Sequence, residues 1–376
     1  MNALSRSSYG IIFDIDSSTV GVAIAKYQKG GSISILYSSR TVIKFGEQTA
    51  ASDLGTYVST AIEASGKKAL DKLGSLDING KYSVHAIIHA PWADSKSKRE
   101  EGTLEKEEKV TKELLQHFME QHLPDEKVSG RIQFDKHIVQ IEVNGYVTAH
   151  PYKKMAKTVA ITVLRSSMSE SIHQDITSAF SNVFPNHSVH LDSFLFAATQ
   201  LKELFKFKDA YTIVDIGGEY TSLSIVRNDT ISKTTWTNFG TEKLIKALTK
   251  EDSTRKSTIA ELVMYINNTC TPAQCRKVDT LLEASEKEWV RAFGDGASQL
   301  GKTHKMPTQT FVSVDKRFAP WFEKVIERLD FAQFTVTGNP LEAQVLSVEH
   351  SHRKLDYMDS VRKDSILSLG ALFVDK

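Results

Sequence analysis

Two segments that lie far apart in the chain have the same pattern of residues, and this duplication limits the folds that the chain can adopt. Residues 9–25 predict an apolar strand, a polar turn that begins at Asp14, and a second apolar strand. Residues 211–226 repeat this order, with the turn beginning at Asp215. The repeat predicts two similar α/β halves, each with a strand–turn–strand hairpin, and a ligand site between them.

The two polar turns contain the groups that bind a nucleoside triphosphate. Phosphate oxygens need backbone amides and hydroxyls, and Mg²⁺ needs carboxylates that bind it directly or through water. The glycines of the second turn also allow a close approach of the backbone. One such hairpin alone is more typical of a structural turn, whereas two in matching halves favour a phosphate site. The predicted phosphate-binding residues are Asp14, Ser17, Ser18, Thr19, Asp215, Gly217, Gly218 and Thr221, with Asp14 and Asp215 as ligands of Mg²⁺ through water.

Composition excludes several classes of protein. A chain of 376 residues is too long for one ordinary core and predicts two domains. Its net charge of +1 gives no general attraction to nucleic acid. No apolar run reaches the roughly 20 residues that span a bilayer, and the polar N-terminal residues 1–9 do not resemble a signal peptide. Cys270 and Cys275 predict free thiols in a reducing cytoplasm, without a zinc site.

A separate unit lies between the two hairpins. Residues 81–185 predict a small α+β unit that is inserted into the first half. Within it, residues 94–109 are mostly charged, which predicts a solvated loop; a loop that docks a partner is the alternative. His85 and His89, in a strand of the same unit, are predicted to be packing or surface histidines, since no third metal ligand is visible. A closing helix is predicted at 360–373.

The segments FDIDSSTVGVAIA and VDIGGEYTSLSIV resemble the first and second phosphate motifs of the actin, Hsp70 and sugar-kinase superfamily. The insertion, with VNGYVTAHP and KTVAITVL near its end, is similar to the subdomain of the division protein FtsA and, in layout, to the pilus-assembly protein PilM. The helix with SILSLGALF resembles the last helix of the family's first domain. This resemblance implies an α/β, actin-like (ribonuclease H-like) duplicated two-domain ATPase fold with an inserted, SHS2-like α+β subdomain. The implied first domain comprises residues 1–80, 186–210 and the closing helix 356–376, with the inserted subdomain at 81–185 and the second domain at 211–355.

The sequence departs from the superfamily at three places. Asp16 stands where family members usually have a glycine, which brings an extra negative charge to a phosphate loop. The stretch that resembles the adenosine loop, residues 311–325, has the charged run DKR at 315–317 in place of glycines, so a surface turn or a contact with a phosphate or a partner are alternatives. Glu261 matches the family's ribose-contacting residue, although Met264 replaces the expected lysine. The resemblance therefore implies weak binding of ATP and Mg²⁺ and at most a weak ATPase activity.

The function that the resemblance implies is that of a cytoplasmic scaffold of the FtsA or PilM type, which organises a membrane-associated machine through protein contacts. That machine is a cell-division or a type IV pilus-assembly complex. The expected partners are its proteins, including the cytoplasmic tail of a membrane protein, and further copies of the chain. The short segment after Gly370 lacks the membrane-targeting helix that is usual in the division branch, so a location at the inner face of the membrane would depend on a partner. A small-molecule kinase of the same superfamily and a degenerate pseudo-ATPase scaffold are the alternatives.

Overall fold

A computed structural model describes residues 8–28, 32–45, 53–78, 81–126, 128–301, 304–328, 331–350 and 355–375. Residues 1–7, part of the N-terminal segment compared with a signal peptide, lie outside this set. No helix within the described residues has the length and apolar character needed to cross a bilayer.

Strands and helices alternate on both sides of a segment that consists mostly of strands. The strands are β1 (Ser8–Ile15), β2 (Thr19–Tyr27), β3 (Ile33–Val42), β4 (Tyr82–Ile88), β5 (Asp94–Lys109), β6 (Arg131–Val143), β7 (Tyr146–Val147), β8 (Met155–Ser169), β9 (Val189–Ser193), β10 (Ala210–Ile216), β11 (Thr221–Arg227), β12 (Thr230–Thr237), β13 (Gln309–Val314), β14 (Glu342–Val345) and β15 (Leu355–Tyr357). The helices are α1 (Leu54–Ser75), α2 (Lys112–His122), α3 (Glu170–Val183), α4 (Phe194–Gln200), α5 (Lys202–Phe205), α6 (Thr241–Leu248), α7 (Arg255–Ile266), α8 (Pro272–Gly301), α9 (Ala319–Arg328) and α10 (Ser365–Val374).

The first lobe is built on a six-stranded sheet with the order β15-β3-β2-β1-β4-β9. Strand β1 runs antiparallel to β2 and parallel to β4, where Ile15 pairs with Ile88. Ile11 and Phe13 pack in the core formed with α1 and α3, whereas Ile12 packs in the core formed with α10. Burial of both faces of the sheet explains why β1 is apolar along most of its length.

The second lobe is built on a five-stranded sheet with the order β12-β11-β10-β13-β14. Strand β10 is antiparallel to β11 and parallel to β13, as β1 is to β2 and β4. Helices α6 to α9 contribute to a core that contains Trp289, Phe293 and Phe322. The predicted duplication of two α/β halves is confirmed.

The inserted unit is a four-stranded antiparallel sheet with the order β5-β8-β6-β7, and α2 shares its core. Its strands lie within residues 94–169. The predicted insertion at 81–185 is wider, because it includes β4, which pairs with β1, and α3, which packs in the core beside α1. Sheet pairing favours the narrower bounds for the insertion, and the division of the chain into domains remains a prediction.

The prediction of a solvated loop at 94–109 is wrong, because these residues form β5, an edge strand. Strand β5 pairs with β8, whose side chains are buried from Val159 to Ser166. The backbone of a buried neighbour therefore stabilises a strand that its own composition does not indicate. Most of the charged side chains of β5 are exposed or half-buried, and charges on an edge strand discourage pairing with another chain.

The closing helix begins later than predicted. Residues 355–357 form β15, which pairs with β3. Helix α10 begins at Ser365, and the preceding Asp364 caps it by accepting a hydrogen bond from the amide of Leu367 at 3.2 Å. An aspartate in this position satisfies an amide that has no partner within the helix, which favours a helix start here.

The two cysteines are joined in a disulfide, so the prediction of free thiols is wrong. Cys270 precedes α8 and Cys275 lies in its first turn, with 5.6 Å between their Cα atoms. The pairing depends on the path of the chain between α7 and α8, which composition does not reveal.

Gly370 on α10 tests the packing of this helix on the first sheet. A Cβ atom at Gly370 would lie 2.8 Å from Ile12 Cγ2 and 3.0 Å from Ile87 Cδ1. We expect Gly370→Ala to lower the free energy of unfolding by about 1–3 kcal/mol, measured by urea denaturation, because the core has no room for the methyl group. Gly294→Ala on α8 is the matched control: nothing lies within 4 Å of its added Cβ. The control should raise stability by roughly 0.5–1 kcal/mol, and equal effects of the two variants would contradict this packing.

Candidate functional site

The two hairpins with the predicted phosphate-binding residues lie directly against each other. The amide of Gly218 donates a hydrogen bond to Asp16 Oδ2 at 3.0 Å, and the amide of Glu219 donates to Ser17 Oγ at 2.9 Å. A Cβ atom at Gly217 would lie 2.2 Å from Asp16 Oδ1. Glycine is therefore needed here for contact between the hairpins themselves, a role that the sequence assigned to contact with a ligand.

A buried histidine, His89, joins the two predicted metal-binding aspartates. Its Nε2 lies 2.6 Å from Asp14 Oδ1, and its Nδ1 lies 2.8 Å from Asp215 Oδ2. All three side chains are buried, and the ring of Phe194 stacks on His89 with 4.2 Å between centroids. Because both ring nitrogens face carboxylate oxygens, both carry protons and the ring is a cation.

Strand pairing explains why His89 is in this position. It follows β4 directly, and its amide donates to the carbonyl of Ile15 at 3.0 Å, which continues the parallel pairing with β1. His89 is buried, as a core histidine would be, but the prediction of a core or surface residue did not include its contacts with the two carboxylates. The signal that could have identified it is its place at the carboxyl end of a strand beside β1, the edge at which α/β sheets bind ligands.

Electrostatics favours the charged forms of this cluster. Burial alone would lower the pKa of His89, but the charges of Asp215 and Asp14 raise it well above its usual value. Burial would raise the pKa of Asp14, but the charges of Arg40 and His89 lower it to about 2. Asp16 differs, because burial raises its pKa and the nearby Asp14 carboxylate adds to that effect despite the opposing charge of His89.

Arg40, on β3, connects the cluster to Asp364, the residue that caps α10. Its Nη1 lies 2.6 Å from Asp14 Oδ2, and its Nε and Nη2 donate to the two oxygens of Asp364 at 2.5 and 3.0 Å. Burial alone would lower the pKa of Arg40, but the negative charges of Asp364 and Asp14 raise it above its usual value. The sequence did not indicate Arg40 or Asp364, because they meet only in the folded chain.

A cavity of about 140 Å³ lies beside this cluster and is lined by further ion pairs. Arg255 pairs with Glu242, and Arg317 pairs with Asp315 at 2.6 Å. The DKR turn between β13 and α9 therefore has its arginine folded back on its own aspartate. The other lining residues include Ser18, Thr19, Gly217 and Gly218.

Two predicted residues point elsewhere. The Thr221 hydroxyl donates to the carbonyl of Phe239 at 2.6 Å, inside its own lobe. Glu261 lies on α7, 3.8 Å from Lys250 Nζ, and is not part of the cavity lining. The ribose contact predicted for Glu261 remains untested.

The arrangement does not fit Mg-ATP. A phosphate needs free amides, whereas those of Gly218 and Glu219 already donate to side chains of the opposite hairpin. A metal ion needs free carboxylate oxygens, whereas Asp14 is paired with both His89 and Arg40. The cavity is also small beside the roughly 300–1,000 Å³ of typical ligand pockets.

Comparisons with known proteins identify the fold. No protein-family model and no curated protein matches the sequence. A solved structure of the PilM–PilN type IV pilus biogenesis complex contains a chain that matches over 98% of this chain and 97% of its own, with a TM-score of 0.58 and 10% identity. The ethanolamine utilization protein EutJ from Carboxydothermus hydrogenoformans matches over 92% and 86%, with a TM-score of 0.44 and 10% identity. A protein with an actin-like ATPase fold from Bacteroides thetaiotaomicron matches over 98% and 96%, with a TM-score of 0.38 and 8% identity.

Of these three, the match to PilM has a TM-score above 0.5, and at its 10% identity it shows the fold alone. The chain therefore has the actin-like fold of the PilM type, which confirms the fold that the two hairpins and the insertion predicted.

His89→Gln tests the ion pair. We expect it to lower the free energy of unfolding by about 3–5 kcal/mol at neutral pH, because two buried carboxylates lose their shared counter-charge. His89 has a raised pKa in the folded state. Its stabilisation is therefore fully present below the unfolded pKa of about 6.5 and is lost as the pH rises through the folded pKa. The difference between wild type and variant, measured by urea denaturation across pH, should narrow at alkaline pH.

The control for this prediction is His85→Gln, on β4, the strand that His89 follows. Burial, followed by the charge of His190, lowers the pKa of His85 to about 4, so this ring is neutral at neutral pH. His85→Gln should therefore lower the free energy of unfolding much less than His89→Gln does. An equal cost, or a difference that does not change with pH, would contradict the ion pair.

Proposed function

We propose that this protein is a scaffold with the PilM-type actin fold that acts through protein contacts and does not hydrolyse nucleotide. The observation that carries the proposal is the position of His89 between Asp14 and Asp215. The sequence predicted that Asp14 and Asp215 bind the Mg²⁺ ion of a nucleotide. The charged ring of His89 lies between these two carboxylates instead. The proposal selects the pseudo-ATPase scaffold among the alternatives that the sequence left open.

The energetics of the ion pair support this choice. Separating the lobes would break the contact of His89 with Asp215 and leave the Asp215 carboxylate without its cation, and breaking a buried ion pair costs several kcal/mol. An open state that could admit Mg-ATP would then be sparsely populated, and the apparent affinity for the nucleotide would fall by that fraction. The weak ATP binding implied by the resemblance is reduced further by this effect.

The small-molecule kinase alternative receives no support from the cavity. A kinase needs room for both the nucleotide and the second substrate, with groups free to stabilise the transferred phosphoryl group. Here Arg317 is paired with Asp315 and Arg255 with Glu242. These two arginines of the cavity lining are thus already paired within the protein.

An exposed apolar surface on the insertion supports a role in protein contacts. Strand β7 is an edge strand, and its Tyr146 and Val147 are 78% and 62% exposed. Tyr152, in the following turn, and Met155, the first residue of β8, are 55% and 44% exposed. Asn144 ties this turn to the hairpin, because its Nδ2 donates to the carbonyl of Met155 at 3.1 Å. Exposed tyrosines and apolar side chains of this kind are typical of protein-binding surfaces.

We assign this hairpin surface, Tyr146, Val147, Tyr152 and Met155, to a protein partner of a membrane-associated machine. The PilM chain of similar fold was solved in a complex with PilN for type IV pilus biogenesis. By analogy, the partner is the cytoplasmic segment of a membrane protein in a pilus-assembly or cell-division complex, and it holds the protein at the inner face of the membrane. Self-association is a further proposal for the same surface.

Calorimetric titration with Mg-ATP tests the nucleotide part of the proposal. We expect no binding heat from the wild type at millimolar nucleotide, because the amides and carboxylates of the two hairpins are already paired. Asp215→Ala should also give no binding heat. Binding by the wild type that Asp215→Ala abolishes would restore the nucleotide site and overturn this part.

Cell fractionation tests the scaffold part. We expect the wild type in the membrane fraction of its own cells and the double variant Tyr146→Ser, Val147→Ser largely in the soluble fraction, because the partner loses its apolar contact. Val336→Ser is the control, since Val336 is 61% exposed in the other lobe. Purified wild type should not sediment with liposomes. A membrane location that survives the double variant would contradict the assigned surface, and liposome binding by the purified protein would contradict dependence on a partner.

A further inference from the structure

A cluster of three metal-ligating side chains lies where the insertion meets the first lobe. Asp135 and His137 are two residues apart on β6, and Asp192 lies on β9. One ligand atom from each side chain lies within 4.8 Å of the other two. None of these residues belongs to the hairpin site, and the proposed scaffold function does not use them.

One atom of this cluster, Asp135 Oδ1, is buried without a hydrogen-bond partner. Asp135 is only 6% exposed, and its other oxygen accepts a hydrogen bond from the amide of Ser193 at 2.8 Å. His137 Nε2 lies 3.1 Å from Asp192 Oδ1. A buried polar atom without a partner costs free energy, so Asp135 Oδ1 needs a further ligand.

The charge of the cluster indicates that this ligand is a cation. Two carboxylates share one imidazole, and within the described part of the chain no lysine or arginine pairs with either carboxylate. The negative charge of the cluster therefore lacks full compensation. A divalent cation would provide that compensation.

The protein also holds the imidazole in a fixed orientation. The ring of Phe196 stacks on His137 with 3.6 Å between centroids and 1° between planes. The pairing of β6 with β8 shifts register on both sides of these residues, between Gln133 and Asp135 and between Ile138 and Gln140. Such bulges redirect side chains and often occur beside functional sites. Ligands that are oriented before the ion arrives are a general feature of metal sites.

We propose that Asp135, His137 and Asp192 bind a divalent transition-metal ion of the Zn²⁺ class, which joins the insertion to the first lobe. One imidazole nitrogen and two carboxylate oxygens suit Zn²⁺ or a neighbouring first-row ion better than Mg²⁺ or Ca²⁺. With metal–ligand bonds of about 2.0–2.1 Å, tetrahedral ligands are about 3.3 Å apart. The 3.1 Å between His137 and Asp192 is close to this spacing, and Asp135 needs a small movement to reach it. Three protein ligands leave the fourth position to water.

Titration of the untagged full chain with Zn²⁺, followed by calorimetry, tests this site. We expect one equivalent to bind and the melting temperature to rise with Zn²⁺. Bound Co²⁺ should give the visible absorption of a tetrahedral site. His137→Gln and Asp192→Asn should each weaken binding at least about 100-fold, because each removes one of three ligands.

The matched control is His122→Gln. His122 also lies in the insertion and stacks on a phenylalanine, Phe118, with 4.3 Å between ring centroids. It should bind Zn²⁺ as the wild type does, and circular dichroism should show that all variants are folded. Wild type that binds no Zn²⁺ would overturn the proposal. The proposal would also be overturned if His122→Gln lowered the affinity for Zn²⁺ as much as the ligand variants do, or if neither His137→Gln nor Asp192→Asn changed it. Either result would assign Zn²⁺ binding to scattered surface histidines.

Discussion

The ion pair of His89 with Asp14 and Asp215 is the interaction on which the arrangement of the two lobes depends. The first lobe supplies Asp14 and His89 from neighbouring parallel strands, and the second lobe supplies Asp215. Charges buried this deeply are tolerated only when they are paired, so the lobes are stable in the position that brings the three together. The hydrogen bonds between the hairpins form around this contact. The cavity beside it, of about 140 Å³, is lined by two further ion pairs, Arg255 with Glu242 and Arg317 with Asp315.

The duplicated fold was predictable because its signals are local. Each hairpin has an apolar strand on either side of a polar turn, and β1 and β10 are continuous apolar runs because both faces of their sheets are buried. Strand β5 was not predictable in this way. Its residues are those of a solvated loop, and the partner that makes it a strand, β8, lies far along the chain.

The candidate site was predictable only in part, again for physical reasons. The aspartates and glycines of the hairpins were identified because residue type and turn position define them. The partners of these residues were not, since His89, Arg40 and Asp364 reach Asp14 through strand pairing and helix packing that no short motif encodes. The sequence indicated that Asp16 was unfavourable beside a phosphate, but the structure shows its use: it accepts the amide of Gly218 from the opposite hairpin. Asp16 is thus unsuited to binding a phosphate, but it is explained by its hydrogen bond between the two hairpins.

Strand β6 connects the contact with the first lobe to the hairpin surface. It carries Asp135 and His137 near its middle and ends at Val143, beside β7. The six residue steps from His137 to Val143 span about 20 Å of extended chain, so a small rotation of β6 at His137 displaces the hairpin surface by several ångströms. Beside it, Asp135 accepts a hydrogen bond from the amide of Ser193, and the next residue, Phe194, stacks on His89. A scaffold must present its partner at a defined position relative to its core. A metal ion bound at Asp135 and His137 would stiffen the contact between β6 and the first lobe, next to the residue that holds the lobes together.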